Sequence, residues 1–223
     1  MTVDLVRARR FSLKLRKWFE RHGRDLPWRY TRDPYRILVS ELMLQQTQVS
    51  RVMEYYGRFL ERFPDMHSLA AAQPRMVREA WHGLGYYARA RNLHALAREV
   101  TRDGRAGELP AEPNELIELP GVGHYTAHAV ATFAYERRSA PVDTNVARVI
   151  ARAFAPHLRP KRARDVTKLR ELAQAILPRT GKAAWAHNQG LMELGALVCT
   201  ARVARCGECP VLSECLTGKA RSS

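Results

Sequence analysis

The chain has 223 residues, enough for one large or two small domains, and its 46% of apolar residues excludes a disordered chain. No run of ~18 uncharged apolar residues occurs, so no membrane span is expected, and Met1 to Lys17 mixes Arg and Lys with single apolar residues, unlike a secretory signal. The 37 Lys+Arg against 22 Asp+Glu give a formal net charge of +15, which favours a polyanionic partner, nucleic acid first, without naming a reaction.

Strand signals are nearly absent, and helix punctuation recurs along the whole chain, which predicts an all-α fold. Asp33-Pro34 supplies an N-cap and a first-turn Pro for a helix through Leu44, with Tyr35, Leu38 and Leu42 on one face. A second helix is expected over about 49–62, with Val52, Tyr56, Phe59 and Leu60 inward, stopping before Pro64. Pro74 opens a third that ends near Gly83, and a fourth covers about 86–103 before Gly104. Pro113 starts a short helix that stops before Pro120, and another runs over about 125–135. Later helices are expected over about 145–154, 163–177 and 183–197. No repeat, low-complexity segment or long linker interrupts them.

All four cysteines lie in one C-x6-C-x2-C-x5-C run: Cys199, Cys206, Cys209 and Cys215. Without a signal peptide two disulfides have little reason to form, so four thiolates point to metal, either zinc or an iron–sulfur cluster. Only Cys206 and Cys209 form a CxxC pair, and the wider flanking spacings favour a [4Fe–4S] cluster over zinc.

Leu119-Pro120-Gly121-Val122-Gly123 joins two short helices. Gly121 and Gly123 permit positive φ and close backbone approach, and the amides that follow open a helix, a site for a phosphate. An ordinary helix–helix turn needs only one glycine. Twenty residues beyond Gly123, Asp143 begins another helix in the run Pro141-Val142-Asp143-Thr144-Asn145. Asp is a common N-cap, so Asp143 alone reads as a cap. With the hairpin and the cysteine run, it reads as a functional acid.

The hairpin, the downstream Asp and the cysteine run together resemble the helix–hairpin–helix DNA glycosylases of the endonuclease III superfamily, from Leu26 to Cys215. Within it, Leu26-Pro27-Trp28-Arg29, the stretch from Ser40 to Val49 (SELMLQQTQV), the stretch from Gly83 to Leu93 (GLGYYARARNL) and the stretch from Asn188 to Ala196 (NQGLMELGA) are similar to MutY-type adenine DNA glycosylases. The resemblance implies a two-lobed fold: residues 29–138 form a helical-barrel lobe with the hairpin, and residues 1–28 with 139–223 form a lobe whose loop 199–215 carries a [4Fe–4S] cluster. It also implies a partner, double-stranded DNA with a mispaired or oxidised base, and a protein acting as a monomer in a bacterial or archaeal cytoplasm, held to the nucleoid by its DNA.

Cleaving an N-glycosidic bond requires protonation of the departing base and stabilisation of an oxocarbenium-like sugar, work that two carboxyls can divide. Glu41 sits among Leu38, Leu42 and Leu44, an apolar setting that would raise its pKa. By similarity it protonates adenine, Asp143 faces the sugar cation, and Asn145 orients Asp143. Bifunctional members carry a lysine two residues past the second hairpin glycine; here Tyr125 stands there and cannot form an imine, so base removal should leave the strand intact. Gln45 and Gln46 match the pair that enters the duplex, Tyr86 the intercalating aromatic, and Arg29 and Glu193 residues of the adenine pocket, although either could be a structural ion pair.

Tyr125 also suits thymine or uracil mismatch glycosylases, the alternative enzyme. A non-catalytic, cluster-bearing damage binder is a further reading, disfavoured because binding needs neither Glu41 nor Asp143. Adenine glycosylases usually carry a C-terminal 8-oxoguanine-recognition domain, and this sequence stops at Ser223, so the resemblance implies either a truncated chain or a natural short form.

Overall fold

The computed structural model describes residues 4–104 and 106–222; the outermost residues of the expected second lobe, 1–3 and 223, lie outside them. The described residues form α1 (Leu5–His22), α2 (Pro34–Leu44), α3 (Val49–Arg62), α4 (Met66–Ala71), α5 (Pro74–Ala80), α6 (Ala88–Thr101), α7 (Pro113–Leu116), α8 (His124–Phe133), α9 (Thr144–Phe154), α10 (Ala163–Ala175), α11 (Gly181–Leu197) and α12 (Leu216–Ser222). Among them there is no strand, only an isolated bridge between Cys199 and Ala204. The chain divides into two units, Asp25–Tyr135 and Met1–Arg24 with Glu136–Ser223. These limits lie a few residues from the expected lobe boundaries.

In the unit Asp25–Tyr135, α2 is the central helix. Asp33 caps it, its carboxylate accepting from the amides of Tyr35 and Arg36. Every residue from Ile37 to Met43 is buried, so the helix is enclosed on all sides by α3, α6 and α8. α3 presents Val52, Tyr56 and Phe59 inward, and Tyr56 meets the buried Trp28 edge-to-face. Leu60 is only half-buried, not inward as expected: at this position the helix face has begun to turn to solvent. α4, which carries no sequence expectation, is a single turn and a half held by an Asp65–Ser68 capping box.

In the other unit, α1 and α11 pack together, and α9 lies against α10, α11 and α12. Phe11, Leu15, Ile150, Phe154, Leu169, Leu191 and Leu194 form its core, with Phe11 edge-on to Phe154 at 5.0 Å. The sequence reading assigns no helix to residues 5–22. The missed signal is the buried stripe Ala8, Phe11, Ser12 and Leu15, at helical spacing behind an Asp4 cap, which the intervening arginines obscure.

Candidate functional site

The hairpin between α7 and α8 has unequal glycines. Gly121 is left-handed (φ 75°), and a Cβ there would lie 2.4 Å from Cβ of Asn92 on α6. Gly123 has ordinary φ (−88°), so of the two glycines only Gly121 uses the positive φ that both permit, and Gly123 serves as the N-cap of α8. It carries no capping side chain, and a Cβ there would meet nothing within 4 Å. The α8 N-terminus therefore offers uncapped amides on an open backbone surface, as an anion site requires.

Two residues into α8, the Tyr125 hydroxyl donates to Oε2 of Glu41 at 2.8 Å. Glu41 lies in the buried last turns of α2 and is only 6% exposed. It is therefore not a solvated residue of the helix surface. The contact also accounts for Tyr125: its phenol fixes one oxygen of a buried carboxyl.

Gln45 and Gln46 follow α2, and Tyr86 lies in the loop before α6. Gln45 donates to Oγ1 of Thr126 at 3.2 Å, while Gln46 is exposed with φ 56°. Tyr86 is also left-handed (φ 48°) and 59% exposed, so it is neither helical nor part of the core. That conformation, unfavourable for a bulky residue, is why α6 begins at Ala88 rather than near residue 86. Trp28 packs inside, whereas Arg29 is half-buried at the end of a short 3-10 turn.

Asp143 is the N-cap of α9: Oδ1 accepts from the Val146 amide at 2.7 Å, and Oδ2 from Nδ2 of Asn145 at 3.3 Å. Burial raises its pKa above the usual carboxylate range, against the lowering effect of the Val146 and Asn145 hydrogen bonds and of Arg148. Asn145 is placed from two sides. Gly195 of α11 lets the helices close, since a Cβ there would lie 2.8 Å from Cβ of Asn145. Arg148 donates from Nη2 to Oδ1 of Asn145 at 2.8 Å and to the Gly195 carbonyl at 2.7 Å, and from Nε to the Cys199 carbonyl at 2.9 Å. One turn further along α9, Arg152 donates to Sγ of Cys199 at 3.2 Å. A continuous hydrogen-bonded path thus links the Asp143 carboxylate to the cysteine loop. Glu193 is fully buried, and both its oxygens accept from Arg24, at 2.7 and 3.1 Å.

Cys199, Cys206, Cys209 and Cys215 are all half-buried, none in a disulfide, and all line one cavity with Arg152, Val198 and Leu212. Beside them Glu214 is buried and paired with Arg10 and Lys14 of α1, which ties the loop to that helix. Among the described residues no three His, Cys, Asp or Glu are grouped to hold a single metal ion.

Residues 39–186, which include Glu41, the hairpin and Asp143, match the family described as HhH-GPD superfamily base excision DNA repair protein. The chain belongs to that superfamily. A rat protein named adenine DNA glycosylase is 40% identical over 223 residues, covering 95% of this chain and 42% of that protein. One of the same name from Mycolicibacterium smegmatis is 44% identical over 205 residues, covering 91% and 68%. The chain thus spans about two-fifths of the mammalian relative (42%). Among solved structures, a thermostable thymine-DNA glycosylase matches with TM-score 0.86 at 30% identity, over 96% of this chain and 98% of that one. A trapped endonuclease III–DNA covalent intermediate matches at 0.79 and 25% identity over 100% of each.

For this HhH-GPD protein, sequence reasoning overlooked Arg24 and Arg148, which hold Glu193 and Asn145. In so arginine-rich a chain an isolated Arg carries no spacing signal.

The Asp143 geometry generates a stability prediction. Its folded pKa lies above the unfolded one, so the native state binds the extra proton and loses stability as pH rises through that window. An Asn keeps the cap without the buried charge. Asp143→Asn should therefore melt no lower than the parent at neutral pH, with any gain vanishing below about pH 4, the unfolded carboxylate range; thermal melts at both pH values check this.

Proposed function

We propose that this chain is a monofunctional DNA glycosylase that hydrolyses the N-glycosidic bond of adenine mispaired with 8-oxoguanine or guanine. The observation that carries the reading is the Tyr125–Glu41 pair: a buried carboxyl with one oxygen fixed by a phenol and no lysine at the hairpin position. Glu41 acts as the acid that protonates the departing adenine. Asp143 stabilises the sugar cation, with Asn145 holding its Oδ2 and Arg148 holding Asn145. The uncapped α8 amides beside Gly121 and Gly123 take a backbone phosphate, Gln45, Gln46 and Tyr86 enter the duplex, and Arg29 recognises the extruded base, while Glu193, with both oxygens on Arg24, acts through that arginine.

Adenine is favoured over thymine by likeness of sequence, 35% to 45% identity to proteins named adenine DNA glycosylase against 30% to the thymine-DNA glycosylase structure. The fold match of 0.86 to that thymine enzyme keeps thymine or uracil as the second reading.

Cys199, Cys206, Cys209 and Cys215 would hold a [4Fe–4S] cluster, which would tie together the loop that ends α11. Four thiols around one cavity support a metal centre there, and the C-x6-C-x2-C-x5-C spacing favours a multi-iron cluster over zinc. Protein prepared without oxidants or chelators should contain about four irons and four sulfides per chain and little zinc; stoichiometric zinc in their place contradicts the assignment.

With a duplex holding A·8-oxoguanine, Glu41→Gln should lower single-turnover adenine release at least about 100-fold, the usual contribution of a general acid. Borohydride should trap no Schiff-base adduct in either protein. An unchanged Glu41→Gln rate, or an efficient adduct, would remove the assigned roles.

A further inference from the structure

Arg89 is 7% exposed, and among the described residues no carboxylate pairs with it. Its charge is met instead by oxygens of two separate segments. From Nη1 it donates to the carbonyls of Leu42, Met43 and Gln45, at 2.7, 2.8 and 2.6 Å. From Nη2 it reaches Oγ1 of Thr47 at 3.1 Å and the carbonyls of Leu84 and Gly85 at 3.1 and 3.0 Å. Nε faces the Tyr86 carbonyl at 3.4 Å, and the guanidinium lies 5.5 Å from the rings of both Trp81 and Tyr86.

The two segments share a physical problem. The last carbonyls of α2 have no partner inside the helix and carry its negative dipole end, and α2 has no basic residue in its last turn. The chain after them holds Gln46 in a left-handed conformation, and the loop before α6 holds Tyr86 in another. Such conformations persist in non-glycine residues only where surroundings fix them. One guanidinium, supplied by the first turn of α6, cross-links both.

We propose that Arg89 is the positioning residue that sets the Gln45–Gln46 and Tyr86 segments in one fixed arrangement, so that mispaired DNA is gripped by a preformed edge. The proposal rests on the reading that these residues enter the duplex. The planar fork is essential, because an ammonium donates from a single point and cannot serve two loops. Arg89→Lys is therefore expected to behave like a loss, not a conservative change.

The test uses the full chain with Arg89→Lys and Arg89→Met, and Tyr86→Ala as a check on the underlying reading; if Arg89→Met does not fold, Arg89→Lys carries the test. Amide hydrogen exchange in peptides spanning 42–48 and 83–87 should accelerate in the Arg89 variants. Discrimination between A·8-oxoguanine and matched duplex should fall by about tenfold, through the DNA concentration for half-saturation more than through the saturated rate. Unchanged exchange in either segment overturns the proposal. Faster exchange with full discrimination also overturns it: if Tyr86→Ala has lost discrimination, Arg89 does not act through the loops, and if Tyr86→Ala has kept it, the duplex-entering reading falls as well.

Discussion

A half-buried carboxylate at the start of α9 is the constraint on which its surroundings in that unit depend. Asp143 caps the helix and, in the proposed reaction, also has to remain charged, and burial works against the charge. Three features offset that cost: the Val146 amide at the helix N-terminus, the Asn145 amide, and the Arg148 guanidinium behind it. Each needs support. Asn145 sits where it does because α11 has Gly195 at the crossing. Arg148 is aimed by the Gly195 and Cys199 carbonyls, so the loop that carries the cysteines also sets the angle of the acid.

The unit Asp25–Tyr135 solves a similar problem differently. Glu41 is buried in α2 with the phenol of Tyr125 donating to its Oε2. Arg89 is buried and, among the described residues, has carbonyls and a hydroxyl as its acceptors. In both cases a charged or chargeable group is given a short, specific set of partners, which fixes its position to within a hydrogen bond. The exposed residues that the family resemblance assigns to DNA, Gln46 and Tyr86, stand on backbone held by such groups. The general excess of arginine explains attraction to a polyanion; these buried contacts explain how a surface facing it keeps its shape.

Legibility in the sequence followed the range of the signal. α2, α5 and α7 were readable because a first-turn Pro (Pro34, Pro74 and Pro113) marks each start locally. α1 was not, because its apolar stripe is diluted by Arg7, Arg9, Arg10 and Arg16. Asp143 was readable as a cap, and proves to be one; its reading as a functional acid rested on the hairpin and the cysteine run, and the place facing the sugar on the resemblance. Glu193 shows the limit most plainly: its partner Arg24 lies 169 residues away, a pairing no local pattern encodes. Arg89 and Arg148 went unread for a related reason, since most of their acceptors are backbone carbonyls, which every residue possesses.

The most direct test of the account is single-turnover base release from matched sets of duplexes holding A·8-oxoguanine, A·G, T·G and U·G, each followed by a separate alkali step. The account predicts release of adenine from the first two, with strand breakage only after alkali. Release of thymine or uracil with adenine left in place would contradict it.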